Sequence, residues 1–191
     1  MRICVYGAAS DEIDRSYLEA GETLGRQMAE KSHSLVFGGG AKGMMGAVAR
    51  GVFEKGGKLT GIVPEFFNVD GALFLSCDEM IKTQTMRERK MLMEEHSDAF
   101  IVTAGGIGTF EEFFEILTLR SLDRHKKPIA ILNTNGYYDD LLSFLKNSVE
   151  QNFLRESNLD LFFVSDDVDA VLSYIENAND TADYITKTRF N

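Results

Sequence analysis

Two glycine-rich junctions, each between a short apolar run and a helix, constrain this fold more than any other feature of the sequence. The apolar runs lie at 34–37 and 99–102 and have the length of buried strands. A strand that leads directly into a helix is the unit from which parallel sheets are built. The junction glycines are Gly38, Gly39, Gly40, Gly43 and Gly46 in the first case and Gly105, Gly106 and Gly108 in the second.

The same alternation of strands and helices continues along the chain. It implies right-handed crossovers and a parallel sheet with helices on both faces. We therefore expect an α/β fold, a Rossmann-like doubly wound parallel sheet of about seven strands. The other predicted strands are 2–6, 59–63, 79–82, 129–132 and 161–164, and the predicted helices are 16–31, 47–54, 85–96, 138–150 and 167–176, with one more through Phe110, Phe113, Phe114 and Leu117.

Length and composition favour a single domain. With 191 residues and 44% hydrophobic content the chain can bury about 70% of its unfolded surface. We expect one domain over 1–191, with 179–191 loosely attached because that segment has no clear period. Segment 66–77 mixes aromatic and acidic residues, and we expect a loop or short helix there, over the site.

Charge and cysteine content exclude several classes of function. A net charge of −10 argues against a nucleic-acid polymer as partner. Cys4 and Cys77 lie far apart and form no metal or disulfide pattern. No stretch approaches a membrane span and the N-terminus lacks the pattern of a signal peptide, so a cytoplasmic protein without membrane partners is expected. No metal is expected either, because the histidines are scattered at His33, His96 and His125.

The second junction predicts an anion site at the start of its helix. Gly105, Gly106 and Gly108 are expected to turn with positive φ and to leave the first amides of the helix uncovered. A competing interpretation is a capping box, in which Thr109 and Glu112 satisfy each other's backbone amides. A cap needs no glycines, whereas an anion that approaches the backbone needs most of them.

Both junctions follow strands and should therefore meet at the carboxyl edge of the sheet. The predicted helix 85–96 could add positive charge there. Met86, Arg89, Lys90 and Met93 recur at helical spacing, so two cations share a stripe with two apolar residues. The alternative is a solvated face from which Lys and Arg extend into water. A phosphate at the junction would favour a role for Arg89 and Lys90 at the site, because it needs positive counter-charges.

Two common nucleotide motifs do not fit. The dinucleotide fingerprint should follow the first strand, where this chain has Gly7-Ala8-Ala9-Ser10. The Walker A pattern is absent.

Three ordered motifs match the pattern of one known family. They are Gly38-Gly39-Gly40 with Gly43-Met44-Met45-Gly46, Met86-x-x-Arg89-Lys90, and Gly105-Gly106-Ile107-Gly108-Thr109-Phe110-Glu111-Glu112. With this order and spacing the chain resembles the LONELY GUY (LOG) family of cytokinin riboside 5′-monophosphate phosphoribohydrolases, whose relatives often carried the label lysine decarboxylase. Nothing in the sequence marks a pyridoxal-phosphate site, and no cofactor is expected.

The resemblance implies a catalytic role for Arg89 and Glu112. It also implies that Lys90 and the loop 105–109 hold a nucleotide and that Thr118 lines the site. In this chain Ala104 and Arg87 replace the family's usual proline and histidine. The expected substrate-binding residues are Gly39, Gly40, Gly43, Lys90, Gly105, Gly106, Ile107, Gly108, Thr109, Glu111 and Thr118.

These residues suit hydrolysis of the N-glycosidic bond of a nucleoside 5′-monophosphate, either AMP or an N6-modified cytokinin riboside monophosphate. Glu112, expected to be ionised near a helix N-terminus, would stabilise the oxocarbenium charge that develops on the ribose. The alternative is a non-catalytic nucleotide sensor or carrier with the same phosphate site. Arg89 together with Glu112 favours the enzyme, because a mere binder would not require both.

A homodimer is also expected. Two predicted helices are apolar over more of their circumference than one sheet face needs, and the resemblance implies the same. The residues concerned are Met91, Leu92, Met93, Phe113, Phe114, Ile116 and Leu117.

Overall fold

The described residues form seven strands, all parallel, in one sheet with the order β4-β3-β2-β1-β5-β6-β7. The computed structural model describes residues 1–67 and 71–178. Strand order reverses at β1, which pairs with β2 on one side and β5 on the other. The predicted doubly wound α/β fold is thus confirmed. The strands are β1 Arg2–Tyr6, β2 Ser34–Phe37, β3 Leu59–Pro64, β4 Glu79–Thr83, β5 Ala99–Val102, β6 Ile129–Leu132 and β7 Phe163–Ser165.

Helices cover both faces of the sheet. α1, α2 and α6 pack on one face, and α3, α4 and α5 pack on the other. None of the helices in the described ranges has the length and hydropathy that a membrane span requires. The helices are α1 Arg15–Glu30, α2 Gly43–Glu54, α3 Met86–Glu95, α4 Ile107–Ser121, α5 Asp139–Glu150 and α6 Val168–Asn177, with short 3₁₀ turns at Glu65–Phe67, Thr134–Gly136 and Glu156–Leu161.

The central strand β1 shows how the sequence builds two cores. Successive side chains of a strand point to opposite faces. Ile3 and Val5 therefore pack beneath α1, α2 and α6, while Cys4 and Tyr6 pack beneath α3, α4 and α5. Each fully buried apolar side chain of this size contributes roughly 1.5–3 kcal/mol. A parallel sheet covered on both faces needs such continuous apolar strands.

Helices α1 and α2 approach each other so closely that glycine is required at the contact. A Cβ atom on Gly25 would lie 2.2 Å from the carbonyl oxygen of Val48. A Cβ atom on Gly51 would lie 2.2 Å from the carbonyl oxygen of Glu22. The backbones of the two helices thus pack directly against each other.

Four strands, 2–6, 34–37, 99–102 and 129–132, have the predicted bounds. Helix α2, predicted from residue 47, begins at Gly43, because the Gly43 amide donates to Asp11 Oδ1 and this side chain caps the first turn. Gly43 itself turns into the helix with φ +60. The strand predicted at 161–164 instead lies at Phe163–Ser165, because Leu161 ends a 3₁₀ turn and is buried there.

Two predicted segments lie partly or wholly outside the described residues. In segment 66–77, a 3₁₀ turn at Glu65–Phe67 begins the loop, and positions 68–70 are not described. The expected tail 179–191 is outside the described residues altogether.

Candidate active site

A cleft of about 390 Å³ opens at the carboxyl edge of the sheet, where strand order reverses. The loops after β1, β2 and β3 and the first turns of α4 form its walls, and Arg89 of α3 joins them. Both glycine junctions therefore reach one site, as the topology requires of parallel strands.

Ala8 joins the two junctions through its backbone. Its amide donates to the carbonyl oxygen of Ala104 at 3.0 Å, and its carbonyl oxygen accepts from the amide of Met45 at 3.3 Å. The loop after β1 is thus hydrogen bonded to the loop after β5 and to the first turn of α2. This short loop fixes the distance between the two sides of the cleft.

Arg89 and Glu112 meet at the inner wall of the cleft. Arg89 Nη2 lies 3.3 Å from Glu112 Oε1, and the two side chains are 10% and 11% exposed. Gly38 makes room for the guanidinium, since a Cβ atom there would lie 2.1 Å from Arg89 Nη2. The missing side chain of Gly38, in the first junction, therefore leaves room for the ion pair. Helix α3 supplies its guanidinium and helix α4 its carboxyl group.

Burial raises the pKa of Glu112 from 4.5 to about 7. Arg89 lowers this pKa, but desolvation is the larger effect. Glu112, expected to be a carboxylate at neutral pH, is therefore only partly ionised there. Glu112 lies in the second turn of α4, where removal from water outweighs the influence of the helix N-terminus.

The guanidinium of Arg89 keeps unused hydrogen-bonding capacity. Arg89 Nη1 lies 3.8 Å from Met86 Sδ, a weak acceptor, and Arg89 Nε has no partner among the described residues. Arg89 also lines the cleft. It can therefore donate to oxygen atoms of a ligand while it remains paired with Glu112.

Helix α4 begins without a side-chain cap. Gly106 is its N-cap residue and Thr109 its third residue, so the competing interpretation, a capping box between Thr109 and Glu112, does not hold. The glycine N-cap starts the helix earlier than the polar pattern suggested. The backbone amides of Ile107, Gly108 and Thr109 make no hydrogen bond within the described part of the chain. Bare amides at a positive helix end bind anions.

The glycines of the second junction act through missing side chains, and the expected positive φ was wrong for all three. A Cβ atom on Gly106 or Gly108 would meet nothing within 4 Å, and both residues line the cleft. Glycine is needed at position 105 because the Thr109 side chain packs against its backbone: a Cβ atom on Gly105 would lie 2.2 Å from Thr109 Oγ1. Positive φ occurs instead at Gly39 and Gly43 of the first junction.

Lys90 turns away from the cleft and joins α3 to α4. Its ammonium group bonds Glu111 and also Glu115, the latter at 2.8 Å. Burial lowers the pKa of Lys90, but these two carboxylates outweigh that effect and the net pKa is raised. Thr118 is exposed and lies roughly 16 Å along the helix axis from the start of α4. Neither Lys90 nor Thr118 lines the cleft.

The other predicted binding residues divide into two groups. Gly40, Gly106, Gly108, Thr109 and Glu111 line the cleft. The remaining residues lie just behind it or point outward: Gly39 packs against Val63, Gly43 donates its amide to Asp11, Gly105 lines a neighbouring apolar pocket, and the Ile107 side chain is 86% exposed.

Sequence reasoning missed part of the cleft wall. The segment 7–9 after β1 contributes, as do Lys42 and Phe67. The signal in the sequence is the run of small residues after the first strand, Gly7-Ala8-Ala9, although it lacks the dinucleotide fingerprint. In a doubly wound sheet the loop after the central strand reaches the ligand edge whether or not it carries that fingerprint. The described residues include no group of three or more His, Cys, Asp or Glu that could hold a metal ion.

Comparisons with known proteins agree with this picture. The family model described as "Possible lysine decarboxylase" matches residues 45–175. Cytokinin riboside 5′-monophosphate phosphoribohydrolase LOG2 of Arabidopsis thaliana is 37% identical over 156 residues, which are 82% of this chain and 73% of that protein. The probable cytokinin riboside 5′-monophosphate phosphoribohydrolase LOGL9 of Oryza sativa subsp. japonica is 35% identical over 175 residues, 92% of this chain and 77% of that protein.

Solved structures with a similar fold include two that bind or carry the molybdenum cofactor. The molybdenum cofactor binding protein of Rippkaea orientalis has a TM-score of 0.70 at 21% identity, over 92% of this chain and 94% of that one. The Moco carrier protein of Chlamydomonas reinhardtii has a TM-score of 0.71 at 22% identity, over 94% of this chain and 98% of that one. At this identity the likeness concerns the fold alone.

Proposed function

Because the chain belongs to the LONELY GUY family of cytokinin riboside 5′-monophosphate phosphoribohydrolases, we propose that it hydrolyses the N-glycosidic bond of a nucleoside 5′-monophosphate. The products are the free base and ribose 5-phosphate. The base is adenine or an N6-modified adenine. The observation that carries this proposal is the buried Arg89–Glu112 pair beside the uncapped start of α4.

The 5′-phosphate binds at the start of α4. The amides of Ile107, Gly108 and Thr109 lack acceptors within the described residues, and no side chain at Gly106 or Gly108 covers them. Three unpaired donors at the positive end of a helix match the oxygens of a phosphate. The binding of the phosphate orients the ribose toward Glu112, which lies one turn further along α4.

Glu112 acts as a carboxylate toward the ribose. As the bond between C1′ and the base nitrogen breaks, its electron pair leaves with the base and positive charge develops on the ribose ring. The carboxylate stabilises that charge and directs water to C1′, while the base takes up a proton. Arg89 favours the ionised form of Glu112, because its positive charge lowers the pKa that burial has raised. Its unused donors contact phosphate or ribose oxygens.

A panel of nucleoside monophosphates and their nucleosides tests the proposal. The assay should measure both free base and ribose 5-phosphate. Glu112→Gln should lose hydrolysis, whereas the matched control Glu150→Gln, at the exposed end of α5, should keep it. Binding of nucleotides without release of base by the wild-type protein would instead indicate a sensor or carrier.

A homodimer belongs to the same proposal. Phe113, Ile116 and Met93 are used in the core, but Met91 and Phe114 remain 50% and 37% exposed on adjacent helices. Apolar side chains on two neighbouring helices suit a partner surface. Light scattering at micromolar concentration should give twice the chain mass, and Phe114→Glu should reduce that mass to a monomer's. A monomeric wild-type protein would contradict this part of the proposal.

A cytoplasmic location is also part of the proposal. Both cysteines, Cys4 and Cys77, are free thiols, which suits a reducing compartment. The proposed substrates, nucleoside monophosphates, are metabolites of the cytoplasm as well. Cell fractionation with antibody detection tests it.

A further inference from the structure

Within the described part of the chain, the charges around the cleft leave one cation without a carboxylate partner. Among the described residues, four ionisable side chains line the cleft: Lys42, Arg89, Glu111 and Glu112. Arg89 is paired with Glu112, and Glu111 is bonded to Lys90 behind the cleft wall. Lys42 makes no ion pair or hydrogen bond through its side chain within the described ranges, and it is exposed. A nucleotide phosphate carries roughly two negative charges near pH 7 and needs a counter-charge.

The start of α2 does not depend on the Lys42 side chain, as far as the described residues extend. It is the N-cap residue of α2, but its side chain makes no capping hydrogen bond. The amides of Gly43 and Met45 are already satisfied, since Gly43 donates to Asp11 and Met45 donates to the carbonyl oxygen of Ala8. Met44, whose amide makes no hydrogen bond among the described residues, is itself fully buried. The charge that this end of α2 adds to the cleft is the Lys42 ammonium group.

The loop that carries Lys42 lies beside the bare amides of α4. Ala8 bonds both to Met45 in the first turn of α2 and to Ala104, two residues before the N-cap of α4. Lys42 and Gly106 accordingly line the same cleft from the two sides of Ala8. A lysine carries its charge on a flexible four-carbon stem, so it can follow a phosphate held by the α4 amides.

We propose that Lys42 binds the 5′-phosphate of the substrate and is the main source of selectivity for nucleotides over nucleosides. This assignment rests on the proposed function and goes beyond it, because sequence reasoning had given that task to Arg89 and Lys90. Those two cations are already neutralised by glutamates. Lys42 adds a charge-assisted hydrogen bond to the phosphate, and a nucleoside offers no negatively charged acceptor in its place.

The test compares ligands with and without the phosphate. Lys42→Gln should lower kcat/KM for AMP by about 10- to 100-fold, mainly through KM, and should change adenosine turnover by less than about 2-fold. Lys42→Arg should keep most of the AMP activity. The matched control is Lys58→Gln, which changes an exposed lysine before β3 at the opposite edge of the sheet and should leave both substrates unaffected.

Ribose 5-phosphate separates this assignment from the proposed function, because the enzyme cannot hydrolyse it further. Calorimetric titration should show that Lys42→Gln weakens ribose 5-phosphate binding about 10-fold or more while ribose is unaffected. If the wild-type protein binds ribose 5-phosphate but hydrolyses no nucleotide, the proposed function fails and Lys42 is still tested by this titration. Equal losses for AMP and adenosine, or unchanged ribose 5-phosphate affinity, would overturn the role of Lys42.

Discussion

The guanidinium of Arg89 and the carboxyl group of Glu112 lie 3.3 Å apart although 23 residues separate them along the chain. They belong to different helices, α3 and α4, which pack on the same face of the sheet. Neither side chain is more than 11% exposed. The pair therefore joins the two helices at the cleft, and substitutions can separate this structural role from the proposed chemical one.

Glu112→Gln should abolish most hydrolysis while the fold survives. Glutamine keeps an oxygen that accepts from Arg89, so we expect the free energy of unfolding to change by less than about 1 kcal/mol. The charge that faces the developing oxocarbenium ion is lost, and kcat should fall at least about 100-fold, roughly 3 kcal/mol of transition-state stabilisation. Paired measurements of kcat and Tm check this. Near wild-type kcat in the Gln variant would end the catalytic assignment.

The pH dependence of stability should reveal the raised pKa of Glu112. In the folded protein this pKa rises from 4.5 to about 7. The folded state therefore holds a proton that the unfolded state releases, so stability is fully present below pH 4.5 and is lost as the pH rises through 7. Each pH unit in that interval lowers the free energy of unfolding by at most about 1.4 kcal/mol. Urea titrations from pH 5 to 8 should show this decline in the wild-type protein relative to Glu112→Gln. Parallel curves would contradict it.

Catalysis should follow the opposite trend with pH. If the carboxylate form of Glu112 is the active one, kcat rises as the pH passes through about 7 and levels off above it. The residual kcat of Glu112→Gln should lack this rise. A wild-type kcat that falls over the same interval would instead identify the protonated form as the active one.

Lys90→Met should affect kcat more than KM. Lys90 bridges α3 to Glu111 and Glu115 of α4, and the residue before it in the chain is Arg89. Loss of the bridge should let the two helices shift and misalign the Arg89–Glu112 pair. We expect kcat to fall several-fold while ribose 5-phosphate affinity changes by less than about 2-fold. A large rise in KM with kcat unchanged would show that Lys90 binds the substrate directly.

Tyr137→Phe should weaken nucleotide binding without touching the cleft. The Tyr137 hydroxyl donates to the carbonyl oxygen of Gly105 at 2.6 Å and so holds the loop that precedes α4. Its loss should cost about 1 kcal/mol of stability and raise KM several-fold through a looser phosphate site. Tyr174→Phe, in α6 on the other face of the sheet, is the control and should change neither value. An unchanged KM in Tyr137→Phe would show that the loop is held by other contacts.

Gly25→Ala should destabilise the protein against the usual trend of helix propensity. In an ordinary helix this change stabilises by roughly 0.5–1 kcal/mol. Here the new Cβ would lie 2.2 Å from the carbonyl oxygen of Val48, so α1 and α2 must separate. We expect a net loss of about 1–3 kcal/mol. Urea unfolding measures it, and a gain in stability would contradict the close packing.

The sequence predicts this fold well wherever local pattern decides the structure. The strands at 2–6 and 99–102 have their predicted bounds, because buried parallel strands are continuous apolar runs that end at glycine or polar residues. The start of α2 was missed, because Gly43 and Gly46 argue against a helix by propensity. A cap from Asp11, more than 30 residues earlier, outweighs that propensity.

The candidate site is less predictable, because its decisive contacts are long-range. The packing of α3 against α4 brings Arg89 to Glu112. The same packing brings Lys90, the next residue of α3, to Glu111 and Glu115. No local spacing in either helix encodes that packing. Likewise the pKa of Glu112 depends on burial, which a sequence pattern near a helix start does not report.

The position of β1 at the centre of the sheet has a consequence for synthesis on the ribosome. One edge of β1 pairs with β2 soon after it emerges, but the other edge pairs with β5, with Tyr6 opposite Val102. Until Val102 leaves the exit tunnel, that edge of β1 has exposed, unpaired backbone groups in an apolar strand. Such an edge is a template for aggregation. The nascent first half of this chain therefore exposes an aggregation-prone strand edge, and translational pauses before codon 102 should lower its soluble yield.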